Sequence, residues 1–193
     1  MTAYLDNSAT TPVCSEAVEA MKTAVTELWG NPSSLHQKGI EADEMLENAR
    51  SNVARRLFCR DDEVYFTSGG TESNNLAVQG AAHAMRRRGR RIVTTSVEHP
   101  SIDETVKHLE NEGFEVIRLG VDKNGRISER ELFEAVTPDT ILVSIMAVNN
   151  ETGYSACRSG ENCGNACEVA RTCSLRCGAG FRKTAAQARG DGR

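Results

Sequence analysis

Thr140-Ile141-Leu142-Val143-Ser144-Ile145-Met146-Ala147-Val148 is a nearly continuous apolar run, of the kind a strand takes when both its faces are covered. Such a strand belongs to a sheet with layers on either side, and the chain before it supplies them by alternation. Strands are predicted over 63–67, 91–95, 114–119 and 140–148, helices over 15–28, 40–58, 71–85, 101–111 and 128–136. Ser15 and Ser128 stand where N-caps belong, and Glu131 sits at the third position after Ser128. Ser68-Gly69-Gly70 and Asp122-Lys123-Asn124-Gly125 read as turns, and Gly30-Asn31-Pro32-Ser33-Ser34 as a break. Strand–helix alternation of this kind predicts an α/β fold with a mainly parallel sheet flanked by helices.

Composition narrows the function classes. The 193 residues are 39% hydrophobic and 26% charged, with a formal net charge of -4, which gives no electrostatic footprint for nucleic acid or an anionic membrane. No apolar run approaches the roughly 18 residues of a membrane span. Met1-Thr2-Ala3-Tyr4-Leu5-Asp6 lacks the basic start and apolar core of a signal peptide, so the expected compartment is the cytoplasm.

After Gly153 the character changes. Residues 154–193 are poor in large apolar side chains and rich in Gly, Arg and Cys, with Cys157, Cys163, Cys167, Cys173 and Cys177 crowded together. Such a segment buries too little apolar surface to offset the entropy of ordering, so no packed structure is expected there. The expected organisation is an arm over 1–14, an α/β domain over 15–153 and a non-native tail over 154–193. Spacings of three between the paired cysteines are less usual than two for a tetrahedral thiolate site, and the tail has no His; no metal is expected.

Three motifs follow predicted strands at one edge of the sheet, where open α/β sheets bind ligands. Thr67-Ser68-Gly69-Gly70-Thr71-Glu72-Ser73-Asn74-Asn75 opens a helix; its glycines admit close approach and its first N–H groups suit a phosphate. Ser96-Val97-Glu98-His99-Pro100 offers an imidazole whose face can stack on an aromatic cofactor. Val148-Asn149-Asn150-Glu151-Thr152-Gly153 offers amides for a ring hydroxyl. Each has a plain alternative: a glycine turn with Thr71 as N-cap, a solvated loop histidine, and an Asn-containing turn.

These motifs, with Tyr4-Leu5-Asp6-Asn7-Ser8-Ala9-Thr10-Thr11-Pro12, with Gly30-Asn31-Pro32-Ser33-Ser34 and His36, and with Val143-Ser144-Ile145-Met146, occur in order from Tyr4 to Gly153. Over that span the chain resembles the cysteine desulfurases, of the class-V aminotransferase group with the fold-type-I pyridoxal-phosphate architecture, and the resemblance implies part of that fold's large domain. It implies pyridoxal 5'-phosphate as cofactor, held at its phosphate by Gly70 and Thr71, stacked on by His99 (also a candidate proton shuttle) and met at its ring hydroxyl by Asn150. Residues 7–11 would line the substrate mouth. It also implies L-cysteine as substrate, L-alanine and a protein persulfide as products, an iron–sulfur scaffold protein as partner, and a homodimer.

The resemblance also implies a ring-side Asp and Gln, a Schiff-base lysine after Ser-x-His, a substrate-binding arginine and a catalytic cysteine. None has a counterpart in matching context; Lys183 follows Phe181-Arg182. A shifted reading frame accounts for this. Read one base later, permitted codons let 156–163 become Pro-Val-Glu-Ala-Val-Lys-Ile-Ala, 176–179 become Asp-Ala-Val-Gln and 182–186 become Gly-Lys-Leu-Pro-Leu, which contains the ring-side Asp-Ala-x-Gln. The expectation is a truncated, inactive desulfurase. Alternatives left open are a non-catalytic binding module, a cysteine-rich metal-binding protein, a selenocysteine lyase or another class-V aminotransferase.

Overall fold

The computed structural model describes residues 3–7 and 10–154, and the backbone of Cys173–Arg176. It divides into two compact units, Met1–Phe66 and Thr67–Arg193.

In the first unit, α1 (Ser15–Thr26) and α2 (Gln37–Leu57) are separated by the Gly30–Ser34 break. Cys14, not Ser15, occupies the N-cap of α1 and makes no side-chain cap; the Ser15 hydroxyl bonds instead to Glu16. The N-cap of α2 is His36, whose Nδ1 accepts from the Gly39 N–H at 3.3 Å. The break folds tightly onto this helix start. A Cβ at Gly39 would lie 2.1 Å from the Ser34 carbonyl oxygen, and one at Gly30 2.0 Å from that of Lys38, so both approaches require glycine. Phe58, left-handed at φ 53°, ends α2. The predicted strand 63–67 does not form. Asp61–Glu63 is a single 3-10 turn, and Val64 is extended but has no ladder neighbour among the described residues. A strand needs a partner for its N–H and C=O groups, and β propensity alone does not supply one.

The second unit is an all-parallel sheet in the order β2-β1-β3-β4. Its strands are β1 (Arg91–Thr95), β2 (Glu115–Leu119), β3 (Thr140–Met146) and β4 (Cys173–Arg176). Every residue of β3 is buried, as the opening run requires. Successive side chains alternate between faces. Ile92 and Leu142 pack with Val78 and Ala82 of α3 (Gly70–Met85) and Ile102, Val106 and Leu109 of α4 (Pro100–Asn111). Val93, Val143 and Ile145 pack on the opposite face with Leu132 of α5 (Glu129–Ala135) and with Val136. Ser128 caps α5 as expected, its hydroxyl accepting from the Glu131 N–H.

Within the stretch where no packed structure is expected, the backbone of Cys173–Arg176 pairs in parallel with Val143–Met146. β1 covers one edge of β3, and the N–H and C=O groups of its other edge are those with which Cys173–Arg176 pairs. The rest of the tail lies outside the described residues.

Candidate functional site

In a parallel sheet all carboxyl ends share one edge, and here α3 and α4 bring their amino ends to it as well. The two helices lie side by side and run the same way. Asn74 donates through Nδ2 to the Ser101 hydroxyl, Thr105 donates to Asn75 Oδ1 at 2.9 Å, and His83 meets Glu112 at 2.8 Å. Because α4 follows the end of β1, the first turn of α3 is held beside it.

The N-cap of α3 is Gly69, not Thr71. Its first bond back is Ser73 N–H to the Gly69 carbonyl at 3.1 Å, so the N–H groups of Gly70, Thr71 and Glu72 have no intrahelical acceptor. Thr67 steadies the loop, with Oγ1 2.6 Å from Ser73 Oγ. Glu72 would be an awkward neighbour for an anion, but its carboxylate is tied back by the Ser68 hydroxyl at 2.6 Å and the Ser68 N–H at 2.7 Å. These two bonds, the hydroxyl's first, hold its carboxyl below the usual carboxylate range. Gly69 and Gly70 are open: a Cβ at either would meet nothing within 4 Å.

His99 is the N-cap of α4, with Pro100 at the first helical position and Nδ1 accepting from the Ser101 N–H at 3.1 Å. It is thus more than a solvated loop histidine. The loop carrying it is clasped to the one after β3. Glu98 Oε1 accepts from the Met146 N–H at 2.6 Å, and Asn149 donates through Nδ2 to the Val97 carbonyl at 3.2 Å. Asn149 Oδ1 accepts from the N–H groups of Glu151 and Thr152, both at 2.9 Å, so this asparagine builds the turn and leaves Asn150 exposed beside it.

Gly70, Thr71, His99 and Asn150 are therefore brought to one edge of one unit. Asn7, Thr10 and Thr11 are exposed in the other unit, while Ser8 and Ala9 lie outside the described residues. So do Cys157, Cys163, Cys167 and Cys177, with their proposed ligand spacing. Among the described residues no group of three or more His, Cys, Asp or Glu is arranged to hold a metal, and no helix is long and apolar enough to cross a membrane. Sequence reasoning missed Glu98, Asn149, Ser101 and Asn74, which tie the motifs together. Their polarity next to each motif was the available signal, and only the fold supplies the pairing.

The Aminotransferase class-V family description matches residues 3–170. The chain belongs to the class-V aminotransferase family. Within that family it is 54% identical over 150 residues to a NifS/IcsS protein homolog of Lactobacillus delbrueckii subsp. bulgaricus, covering 78% of this chain and 39% of that one. It is 50% identical over 150 residues to a cysteine desulfurase IscS of Methanosarcina thermophila, covering 78% of this chain and 37% of that one. A solved NifS-like protein superimposes with a TM-score of 0.82 at 38% identity, covering 92% of this chain and 48% of that one. The chain thus spans about two fifths of the length of these curated relatives.

Proposed function

We propose that this chain carries the cofactor-gripping half of a cysteine desulfurase site. Its reaction would be the pyridoxal-phosphate-dependent removal of sulfur from L-cysteine, giving L-alanine and a persulfide for iron–sulfur cluster assembly. The observation that carries the reading is the convergence of three N–H groups at the start of α3, the His99 ring and the Asn150 amide on one sheet edge. The donor set fits the group. A dianionic phosphate wants N–H and hydroxyl donors with no ionised side chain facing it, and Glu72 is tied back to Ser68. In this reading the Gly70 and Thr71 N–H groups and the Thr71 hydroxyl hold the phosphate. His99 covers one face of the ring and holds a proton near the reacting atoms, and Asn150 orients the ring through its hydroxyl. Bound there, the cofactor would supply an electron sink for bond breaking in the substrate.

Among the described residues, no lysine for covalent attachment belongs to this cluster. Of the second unit's two described lysines, Lys107 is paired with Asp103 and Glu104 and Lys123 lies in the 122–125 turn. Among the described residues the cluster likewise holds no ring-side Asp or Gln and no cysteine side chain. In this reading the chain by itself binds the cofactor reversibly and non-covalently, without desulfurase turnover. The homodimer, the iron–sulfur scaffold partner and the cytoplasmic setting belong to the same proposal.

Titration with pyridoxal phosphate tests it. The expected result is saturable binding that dialysis removes, that borohydride does not fix to the protein and that inorganic phosphate competes away. Gly70→Asp places a carboxylate in the open cradle without steric conflict and should weaken binding at least about tenfold, about 1.4 kcal/mol. Binding indifferent to phosphate and to this substitution would put the ligand elsewhere and sink the assignment.

A further inference from the structure

His99 is joined, through Ser101, to a buried asparagine that never touches it. The Ser101 hydroxyl lies 2.8 Å from His99 Nδ1, and the Ser101 N–H points at the same nitrogen from 3.1 Å. Behind it, Asn74 on α3 donates through Nδ2 to the Ser101 hydroxyl oxygen. Ser101 is 8% exposed and Asn74 2%, whereas His99 lies at the surface. Water therefore cannot substitute freely for either partner in the relay.

The directions of these bonds follow from one fixed point. A backbone N–H donates and cannot reverse, so Nδ1 must accept. The proton of the neutral imidazole then sits on Nε2, at the edge of the ring turned away from Ser101. With the Asn74 amide donating into its oxygen, the Ser101 hydroxyl has its own hydrogen left to share the single Nδ1 lone pair with the Ser101 N–H. From these contacts we infer that Asn74 and Ser101 are positioning residues. They form a one-way donor relay from Asn74 to Ser101 to His99 that fixes the ring's orientation and presents Nε2–H to whatever lies on the site. Among the described residues Asn74 Oδ1 has no partner, so the link to Ser101 is what places the amide.

The relay deepens the proposed function and rests on it for its purpose. A ring held with Nδ1 as acceptor gives the bound cofactor and substrate a donor at Nε2, and the hydrogen-bonded edge sets how the ring face lies. It makes the chemistry at His99 depend on a residue of another helix, a dependence that the local sequence Glu98-His99-Pro100 does not disclose.

The test is nitrogen NMR on the cofactor-free chain, with ring nitrogens of its four histidines assigned by single substitution. The expected result is a pyridine-like Nδ1 and a protonated Nε2 at His99 at mildly alkaline pH. Ser101→Ala should move the Nδ1 resonance away from the hydrogen-bonded position, and Ser101→Thr, which keeps a hydroxyl, should restore it. Asn74→Ala should move it in the same direction as Ser101→Ala although it touches no ring atom. Asn74→Leu, which keeps the branched shape without the amide, should act alike. A protonated Nδ1 in the unaltered chain would overturn the inference. So would a His99 resonance that ignores both Asn74 variants while each remains folded by circular dichroism, since a packing role would alter stability alone. Pyridoxal phosphate binding is read separately. The NMR signature without cofactor binding upholds the relay and sinks the functional reading, and binding with a protonated Nδ1 does the reverse.

Discussion

Helices α1 and α4 are both 12 residues long and carry their apolar side chains at the same helical spacing, yet their fates are opposite. In α4, Ile102, Val106 and Leu109 are all 0% exposed beneath the sheet and against α3. In α1, Val18, Met21 and Val25 are 46%, 61% and 74% exposed, and no residue of the helix is buried. Periodicity declares which face of a helix is apolar. It does not declare whether anything covers that face, because the cover comes from elements remote in sequence.

The contrast is sharpest under truncation. Ile102→Ala should cost about 2–5 kcal/mol in denaturant unfolding, because the site cannot collapse around the void. Val18→Ala should change stability by no more than about 0.5 kcal/mol. Equal losses would mean that α1 is covered as firmly as α4, and the comparison would fail.

Glycines give a second, smaller contrast. Gly39→Ala must push the Ser34 carbonyl away from the start of α2, and should cost about 1–3 kcal/mol with faster amide exchange in that first turn. Gly80, in the middle of α3, is different: a Cβ added there would meet nothing within 4 Å, so Gly80→Ala should instead stabilise by about 0.4–1 kcal/mol.

The mildest effect should be the loss of one acid-sensitive group, Glu112. The Glu112 carboxyl is held below its usual range, first by the hydrogen bond from His83 and then by the charges of His83, His108 and Arg86. A carboxyl lowered in the folded state lends stability above its unfolded value of about 4, and loses it as pH falls through the folded value. Glu112→Gln should flatten the acid limb of unfolding midpoint against pH, and an unchanged limb would remove Glu112 from the account.

Much of this architecture was legible. The opening run gave a strand buried along its whole length, and β1 forms over the predicted residues 91–95. Hydroxyl caps were legible where the cap is a local bond, as at Ser128, and misleading where a neighbour won, as at Ser15 and Thr71. Histidine caps were not legible, because His36 and His99 act through Nδ1, and an imidazole seldom stands among the expected capping residues. The stretch 63–67 has strand composition and lacks a partner, which no local pattern can reveal. At the site, the motifs could be named but their cross-links could not. The Glu98 bond to Met146 N–H and the Asn74 bond to Ser101 span 48 and 27 residues. In the Asn149-Asn150 pair, composition does not tell which amide folds the turn and which faces outward.

The side-by-side, same-way arrangement of α3 and α4 also shapes the electric field around the molecule. Each amino end carries the equivalent of about half a positive charge, set against the Glu72 and Asp103 carboxylates of the two first turns, in a chain whose formal net charge is -4. An approaching dianion is repelled by the molecule as a whole, and the free N–H groups of that edge act on it at close range. At physiological ionic strength the screening length is about 8 Å, so the distant repulsion is muted while the short-range attraction survives. Moderate salt should therefore hinder capture of a phosphate-bearing ligand far less than it would for a uniformly basic protein.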